Sequence, residues 1–206
     1  MRRLAGASAA GDLRWISGYL SIKEPRSPCL WWHQDWWCWD HPISYRKAPV
    51  QIAVLCYLTD TAPDNGALRI VEGSHLNSFP IHAILPEAHG EAASGLAPGH
   101  PAMSDLREQT TIRVRAGDAV ILDYRLLHGT HANNSDFRRD CILLSFTPSW
   151  RLLPEAIRSH LISHPALPGD GEAPSAEVRK FLPAYAGKRR DLRVNRDAPG
   201  EFKVGS

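Results

Sequence analysis

Apolar residues recur along this chain in short runs and every-other patterns, seldom at helical spacing. Residues 13–23 and 29–34 read as short strands separated by a turn at Glu24-Pro25-Arg26-Ser27-Pro28. Residues 50–58 (VQIAVLCYL) are almost wholly apolar and rich in β-formers, the pattern of a buried core strand. A loop over 59–66 ends in the turn dipeptide Asn65-Gly66, and 67–71 form another short strand. Residues 110–115 alternate, Ala116-Gly117-Asp118 turns, and 119–124 are apolar again, with LDYRLLH carrying the strand to an end at His128. Residues 138–150 contain CILLSF, a third buried strand. Between these, 79–105 carries prolines, glycines and histidines without periodicity. It reads as a long insertion loop with room for one helical turn, the kind of segment that forms a lid.

Repeated short strands punctuated by turns predict a mainly β fold, a sandwich or jelly roll. After Pro154 the pattern changes, and 155–163 and 175–186 predict helices flanking the barrel, so the helices are mostly C-terminal. The basic tail with Lys188, Arg189, Arg190, Arg193 and Arg196 reads as a solvated end. The expected organisation is one domain over 1–206, with a core at about 13–150 and a C-terminal helical extension over 151–206.

Composition narrows the class without choosing a function. A chain of 206 residues can bury a substantial core, and 43% hydrophobic with 22% charged residues is ordinary for a globular protein. A formal charge of +2 gives no electrostatic footprint for nucleic acid. No apolar run approaches a membrane span, and Met1-Arg2-Arg3 is not followed by the apolar stretch of a signal peptide. Cys29, Cys38, Cys56 and Cys141 lack CxxC spacing, which excludes a zinc ribbon and reads as reduced thiols in a cytoplasmic protein.

The chemistry is concentrated in His33-Gln34-Asp35, followed far downstream by His128 and eleven residues later by Arg139. His33 and Asp35 are two apart, so on a strand they share a face. Two imidazoles and a carboxylate on one face of an octahedral ion leave adjacent positions open, which suits non-haem Fe(II) holding a chelating co-substrate and dioxygen. A guanidinium near the third ligand offers a bidentate partner for a distal carboxylate. His131 competes with His128 as third ligand, but it falls in the following loop with Asn133 and Asn134. Of the adjacent Arg138 and Arg139 only one can face inward.

WWHQD at 31–35, NGALRIVEGSH at 65–75, AGDAVILDYRLLHGTHANNS at 116–135 and Arg139 resemble the phytanoyl-CoA dioxygenase family over about residues 13–150. The resemblance implies a double-stranded β-helix (a cupin-like jelly roll) and an oxidoreductase that uses Fe(II), 2-oxoglutarate and O2. It makes His33, Asp35 and His128 the iron ligands and Arg139 the anchor of the distal carboxylate of 2-oxoglutarate. Gln34 and Thr130 become further co-substrate contacts. Asn65-Gly66 and Gly73-Ser74-His75 become structural turn and loop elements, so His75 is not a ligand. Related halogenases replace the carboxylate by a small residue. Asp35 therefore favours hydroxylation or desaturation of a small-molecule substrate, with 2-oxoglutarate decarboxylated to succinate and CO2.

Five of the seven tryptophans lie within 31–39. About half are expected in the core by alternation, while Trp36, Trp37 or Trp39 are expected to line an aromatic substrate pocket. Only 32 residues precede His33, fewer than the family usually has. That departure leaves open a non-catalytic or truncated binding relative, and a homodimer in which a second subunit covers an apolar surface. A zinc or manganese cupin-type enzyme using the same ligands is a third reading, which leaves Arg139 unexplained.

Overall fold

The computed structural model describes residues 10–162, 175–190 and 192–199. Eight strands carry the fold: β1 (Arg14–Lys23), β2 (Leu30–His33), β3 (Ile52–Tyr57), β4 (Leu68–Val71), β5 (Gln109–Ile112), β6 (Ala119–Asp123), β7 (His128–Thr130) and β8 (Arg139–Thr147). They form two antiparallel four-stranded sheets, ordered β1-β8-β3-β6 and β2-β7-β4-β5. Consecutive strands therefore alternate between sheets at both ends of the sequence, which is the winding of a double-stranded β-helix.

Alternation decides what each strand buries. In β3 the inward set is Ala53, Leu55 and Tyr57, matched by Cys141 and Leu143 on β8 and Leu122 on β6. The runs VQIAVLCYL and CILLSF are thus not buried on both faces. Leu20, Ile121 and Ile142 lie on the outer face of this sheet, each more than a third exposed. The outer face of the smaller sheet is covered instead by the 79–105 insertion. Arg69, fully buried on β4, donates to the main-chain oxygens of Leu30, Met103 and Ser104 and pairs with Asp105 at 3.1 Å, its guanidinium stacked 4.5 Å over Trp32.

The insertion holds more local structure than one turn: 3-10 turns at Pro80–Ile84 and Pro101–Met103 and a short helix α1 (Glu91–Ser94). LDYRLLH is not one strand. The backbone turns at Tyr124–Leu127, where the buried Arg125 is bonded to Asp123 and to the carbonyls of Ser44, Arg46 and Ala48. His128 therefore begins β7 in the other sheet.

Beyond β8, α2 (Glu155–Leu161) buries Ile157 and Leu161, four apart on one face, as expected of an amphipathic helix. The helix expected over 175–186 is only α3 (Ala176–Arg179), and residue 163 lies outside the described residues. α2 packs on Trp36, Trp37, Trp39, Ile43 and Trp150. Burial of each tryptophan contributes up to about 4–6 kcal/mol of transfer free energy. The basic tail is not a solvated end throughout. Residue Asn195 bridges to Cys38, its N–H donating to Trp37 O and its oxygen accepting from Trp39 N, while Leu192 and Ala198 pack on the same core. Among the described residues no helix is long and apolar enough to cross a membrane.

Candidate active site

His33 closes β2 and His128 opens β7, and the two residues are register partners across the antiparallel pair. Their rings lie 4.3 Å apart, centre to centre. Close approach of the strands is possible because Gly129 follows His128: a Cβ there would sit 2.8 Å from Leu30 O and 3.0 Å from Trp31 O. Asp35, two residues past His33, turns its carboxylate between the imidazoles, with Oδ1 3.6 Å from His33 Nε2 and Oδ2 3.6 Å from His128 Nε2. Among the described residues this is the group of three ligand-type side chains whose donor atoms converge, all within 4.8 Å of one another.

The hydrogen bonds around the triad define its chemistry. His33 Nδ1 is 2.9 Å from Trp31 O, and His128 Nδ1 is 2.9 Å from Leu126 O. A carbonyl only accepts, so each Nδ1 carries the proton and each Nε2 presents a lone pair towards Asp35. At 3.6 Å those pairs are too long for hydrogen bonds, so the donors converge without satisfying one another. Burial, then the neighbouring His128, pushes the His33 pKa down to about 3, which keeps its ring neutral. For Asp35 burial alone would raise the pKa. The imidazoles of His128, His89 and His33 outweigh it and hold the carboxyl below the usual range. Two imidazoles whose Nδ1 atoms are already bonded to carbonyls, with one carboxylate between their Nε2 atoms, fit a divalent first-row metal.

Arg139 opens β8 and is buried; its side chain makes no hydrogen bond or ion pair to another described residue, its guanidinium lies 5.8 Å over the Tyr57 ring, and its Nε is fully enclosed. Arg138 points outward to Asp140, as alternation requires. Directly opposite Arg139 in the β1–β8 register stands Lys23, also buried, its Nζ donating to Pro28 O at 2.7 Å. Burial, then the Arg139 charge, lowers the Lys23 pKa to about 8. Two buried cations side by side without a carboxylate form a receptor for an anion.

The remaining expected site residues are placed differently. Gln34 is buried beside the triad, but its amide nitrogen donates to Ser74 O and Arg125 O, bracing the loops under His33. Thr130 is buried on β7, its hydroxyl oxygen accepting from Leu30 N at 3.3 Å. His131 bonds Thr111 at 2.8 Å and stands apart from the triad. Trp36, Trp37 and Trp39 do not line a pocket. Each is at most 5% exposed in the core under α2, with Trp36 donating to Ser44, Trp37 to Gln51, and the Trp37 ring stacked 4.3 Å from His160. The chain turns after Asp35, so these indoles face the C-terminal helix, which supplies the apolar partner that the pocket reading had assigned to substrate.

Two contacts to the triad come from segments without a sequence signal. His89, in the insertion at φ +63°, places Nε2 2.8 Å from Asp35 Oδ1. Arg196 in the tail reaches Asp35 O with Nη1 at 3.4 Å. His89 was one of several histidines in an aperiodic loop, and Arg196 one of five basic tail residues. Lys23 was detectable, since alternation from Tyr19 puts it on the inward face of β1.

This fold and this triad define a class of metal-site β-helix proteins. The phytanoyl-CoA dioxygenase (PhyH) family profile matches residues 1–141, and the chain belongs to that family. It is 30% identical over 128 residues to an ectoine dioxygenase of Nocardia farcinica, covering 59% of this chain and 43% of the relative. It is 24% identical over 144 residues to a probable alpha-ketoglutarate-dependent hypophosphite dioxygenase of Stutzerimonas stutzeri, covering 69% of this chain and 48% of the relative. The chain thus spans less than half the length of these relatives. Among solved structures, HygX from Streptomyces hygroscopicus with nickel, 2-oxoglutarate and hygromycin B bound aligns over 68% of this chain and 57% of its own, at TM-score 0.47 and 24% identity.

Proposed function

We propose that the protein is an Fe(II)/2-oxoglutarate-dependent dioxygenase that oxidises a small-molecule substrate by hydroxylation or desaturation. The observation that carries this reading is the pairing of a converging His33–Asp35–His128 triad with a buried, unpaired Arg139 in one β-helix. A zinc or manganese cupin would need the triad but would give no role to Arg139 and Lys23. The family membership and the dioxygenase names of the relatives support the same reading.

Ferrous iron with 2-oxoglutarate and O2 supplies the oxidising chemistry when bound, and the protein supplies ligands, orientation and exclusion of water. His33 Nε2, His128 Nε2 and an Asp35 oxygen would hold the metal. Trp31 O and Leu126 O keep both imidazoles in the ligating tautomer throughout. Arg139 receives the distal carboxylate of 2-oxoglutarate, Lys23 adds a second positive charge, and the Thr130 hydroxyl keeps a proton to donate.

Anaerobic addition of Fe(II) and 2-oxoglutarate to the metal-free protein tests this directly. A visible charge-transfer band is expected, together with succinate formation on admission of oxygen. Candidate substrates start from small molecules of the kind in the relatives' names, ectoine first. A folded protein that binds iron but gives no band with 2-oxoglutarate overturns the reading.

A further inference from the structure

Beside His33 the insertion and the tail border a small cleft of about 120 Å³ that opens to solvent. Its lining combines His33, Gln34 and His82 with the apolar Leu85, Pro86 and Ala88 and with the charged Arg196 and Asp197. The cleft is smaller than most small-ligand sites, but it is bordered by a candidate metal ligand, so a compact substrate would meet the metal centre there. We infer that Arg196 is the receptor for a carboxylate on the substrate, which is therefore a small organic anion with a compact apolar body. This inference rests on the dioxygenase reading and names the substrate class of the same site.

Three observations support it. Arg196 is half-buried, and among the described residues no carboxylate lies within ion-pair distance of it. Among the described residues its one side-chain hydrogen bond, to Asp35 O at 3.4 Å, is long and leaves the rest of a five-donor fork unassigned. The backbone that carries the fork is also fixed in advance. Asn195 is bonded to the main chain on both sides of Cys38 and through Nδ2 to Asp40 at 2.6 Å, so little backbone freedom is lost when Arg196 engages a ligand. A planar fork in a cleft matches a carboxylate bidentately, and the Leu85–Pro86–Ala88 wall asks for carbon rather than a bare inorganic oxyanion. The Asp197 N–H is taken up by donating to Asn195 Oδ1 at 2.9 Å, and the exposed Asp197 side chain, which also lines the cleft, suits an ammonium group on the same molecule.

The test uses nickel-loaded protein saturated with 2-oxoglutarate, so that Arg139 and the metal are already engaged. Cyclopentanecarboxylate and its uncharged amide are titrated into the wild type, Arg196→Gln and Arg196→Lys alike, and the Kd of each is read by isothermal titration calorimetry. The wild type is expected to bind the acid about tenfold more tightly than the amide, with Arg196→Gln abolishing that preference and Arg196→Lys keeping part of it. The 2-oxoglutarate charge-transfer band of the iron-loaded protein should survive in both variants. No preference in the wild type, or an undiminished preference in Arg196→Gln, overturns the inference. So does a variant whose only change is weaker metal binding, which would reduce Arg196 to a brace on the Asp35 carbonyl. If the wild type forms no band with 2-oxoglutarate the dioxygenase reading fails by itself, and the acid–amide comparison on metal-free protein, wild type against Arg196→Gln, still decides whether Arg196 binds a carboxylate.

Discussion

The triad and the Arg139 pocket handle charge in opposite ways. Asp35 is one carboxylate facing three imidazoles, those of His33, His128 and His89, and its pKa falls despite burial. Arg139 and Lys23 are two buried cations facing each other across the β1–β8 register, with no ion pair among the described residues. The first arrangement holds its charge comfortably before anything binds. The second carries an uncompensated cost that an arriving anion relieves, because an isolated buried charge is far more expensive than a paired one. Metal ligation and co-substrate capture should therefore respond to mutation with different signatures in stability and in binding.

The largest effect belongs to the ligands. His128→Ala or Asp35→Ala should weaken metal binding by more than about a hundredfold, beyond the 10–100-fold typical of residues that only orient a ligand. Chelator competition with Co(II) checks this, and affinity within threefold of wild type in both variants would remove the triad from the metal site. Arg139→Met separates the two regions most sharply. Its 2-oxoglutarate affinity should fall by about two orders of magnitude, the loss of charge-assisted hydrogen bonds. Its thermal midpoint should stay level or rise, since an unpaired buried cation becomes a packed apolar chain. A drop of several degrees would mean that the stacking of Arg139 on Tyr57 outweighs the cost of its buried charge.

His89 tests whether the Asp35 side depends on its third imidazole. His89→Ala should lower metal affinity by about tenfold, the scale of a ligand-orienting contact. The backbone there is left-handed, which glycine adopts without strain. His89→Gly therefore keeps the loop path while deleting the ring. Equal losses in the two variants assign the effect to the imidazole, whereas a milder loss in His89→Gly assigns it to the loop conformation.

Much of the fold was readable from alternation. The strands around 13–23, 50–58, 67–71 and 119–124 are found within a few residues of where the pattern puts them. HxD and Arg139 were readable because period-two geometry dictates which neighbours share a face, and that rule selects Arg139 over Arg138 correctly. The errors have a common cause: each required knowing what packs from far away in sequence. Trp36, Trp37 and Trp39 are apolar residues after a metal motif, and nothing local says that α2, over a hundred residues later, covers them. The Gln34 amide nitrogen is held by Ser74 O and Arg125 O, carbonyls far along the chain that nothing local announces. His128 seemed to end a strand because Arg125, buried in a turn by three carbonyls and Asp123, breaks no pattern of hydrophobicity. His89 and Arg196 lie in segments with neither periodicity nor motif.

The smallest effect concerns Lys23, and it sharpens the cation side of the comparison through pH. Burial first, and the Arg139 charge second, bring the Lys23 pKa from the ordinary lysine value to about 8. Between pH about 8 and about 10.5 the unfolded chain then holds a proton that the folded protein lacks, so stability rises with pH across that window. Below pH 8 the full cost of the buried ammonium is present. That same charge is what a carboxylate on Arg139 would feel: its arrival favours protonated Lys23, so co-substrate binding is strongest below pH 8 and weakens above it. For the nickel-loaded protein the 2-oxoglutarate Kd should rise about three- to tenfold from pH 7 to 9. Lys23→Met should start from a weaker Kd and show a flat profile, while its metal-free form is more stable than wild type at pH 7. A wild-type profile that is itself flat would place the bound anion on Arg139 alone, and the two cations would then share a register position without sharing a ligand.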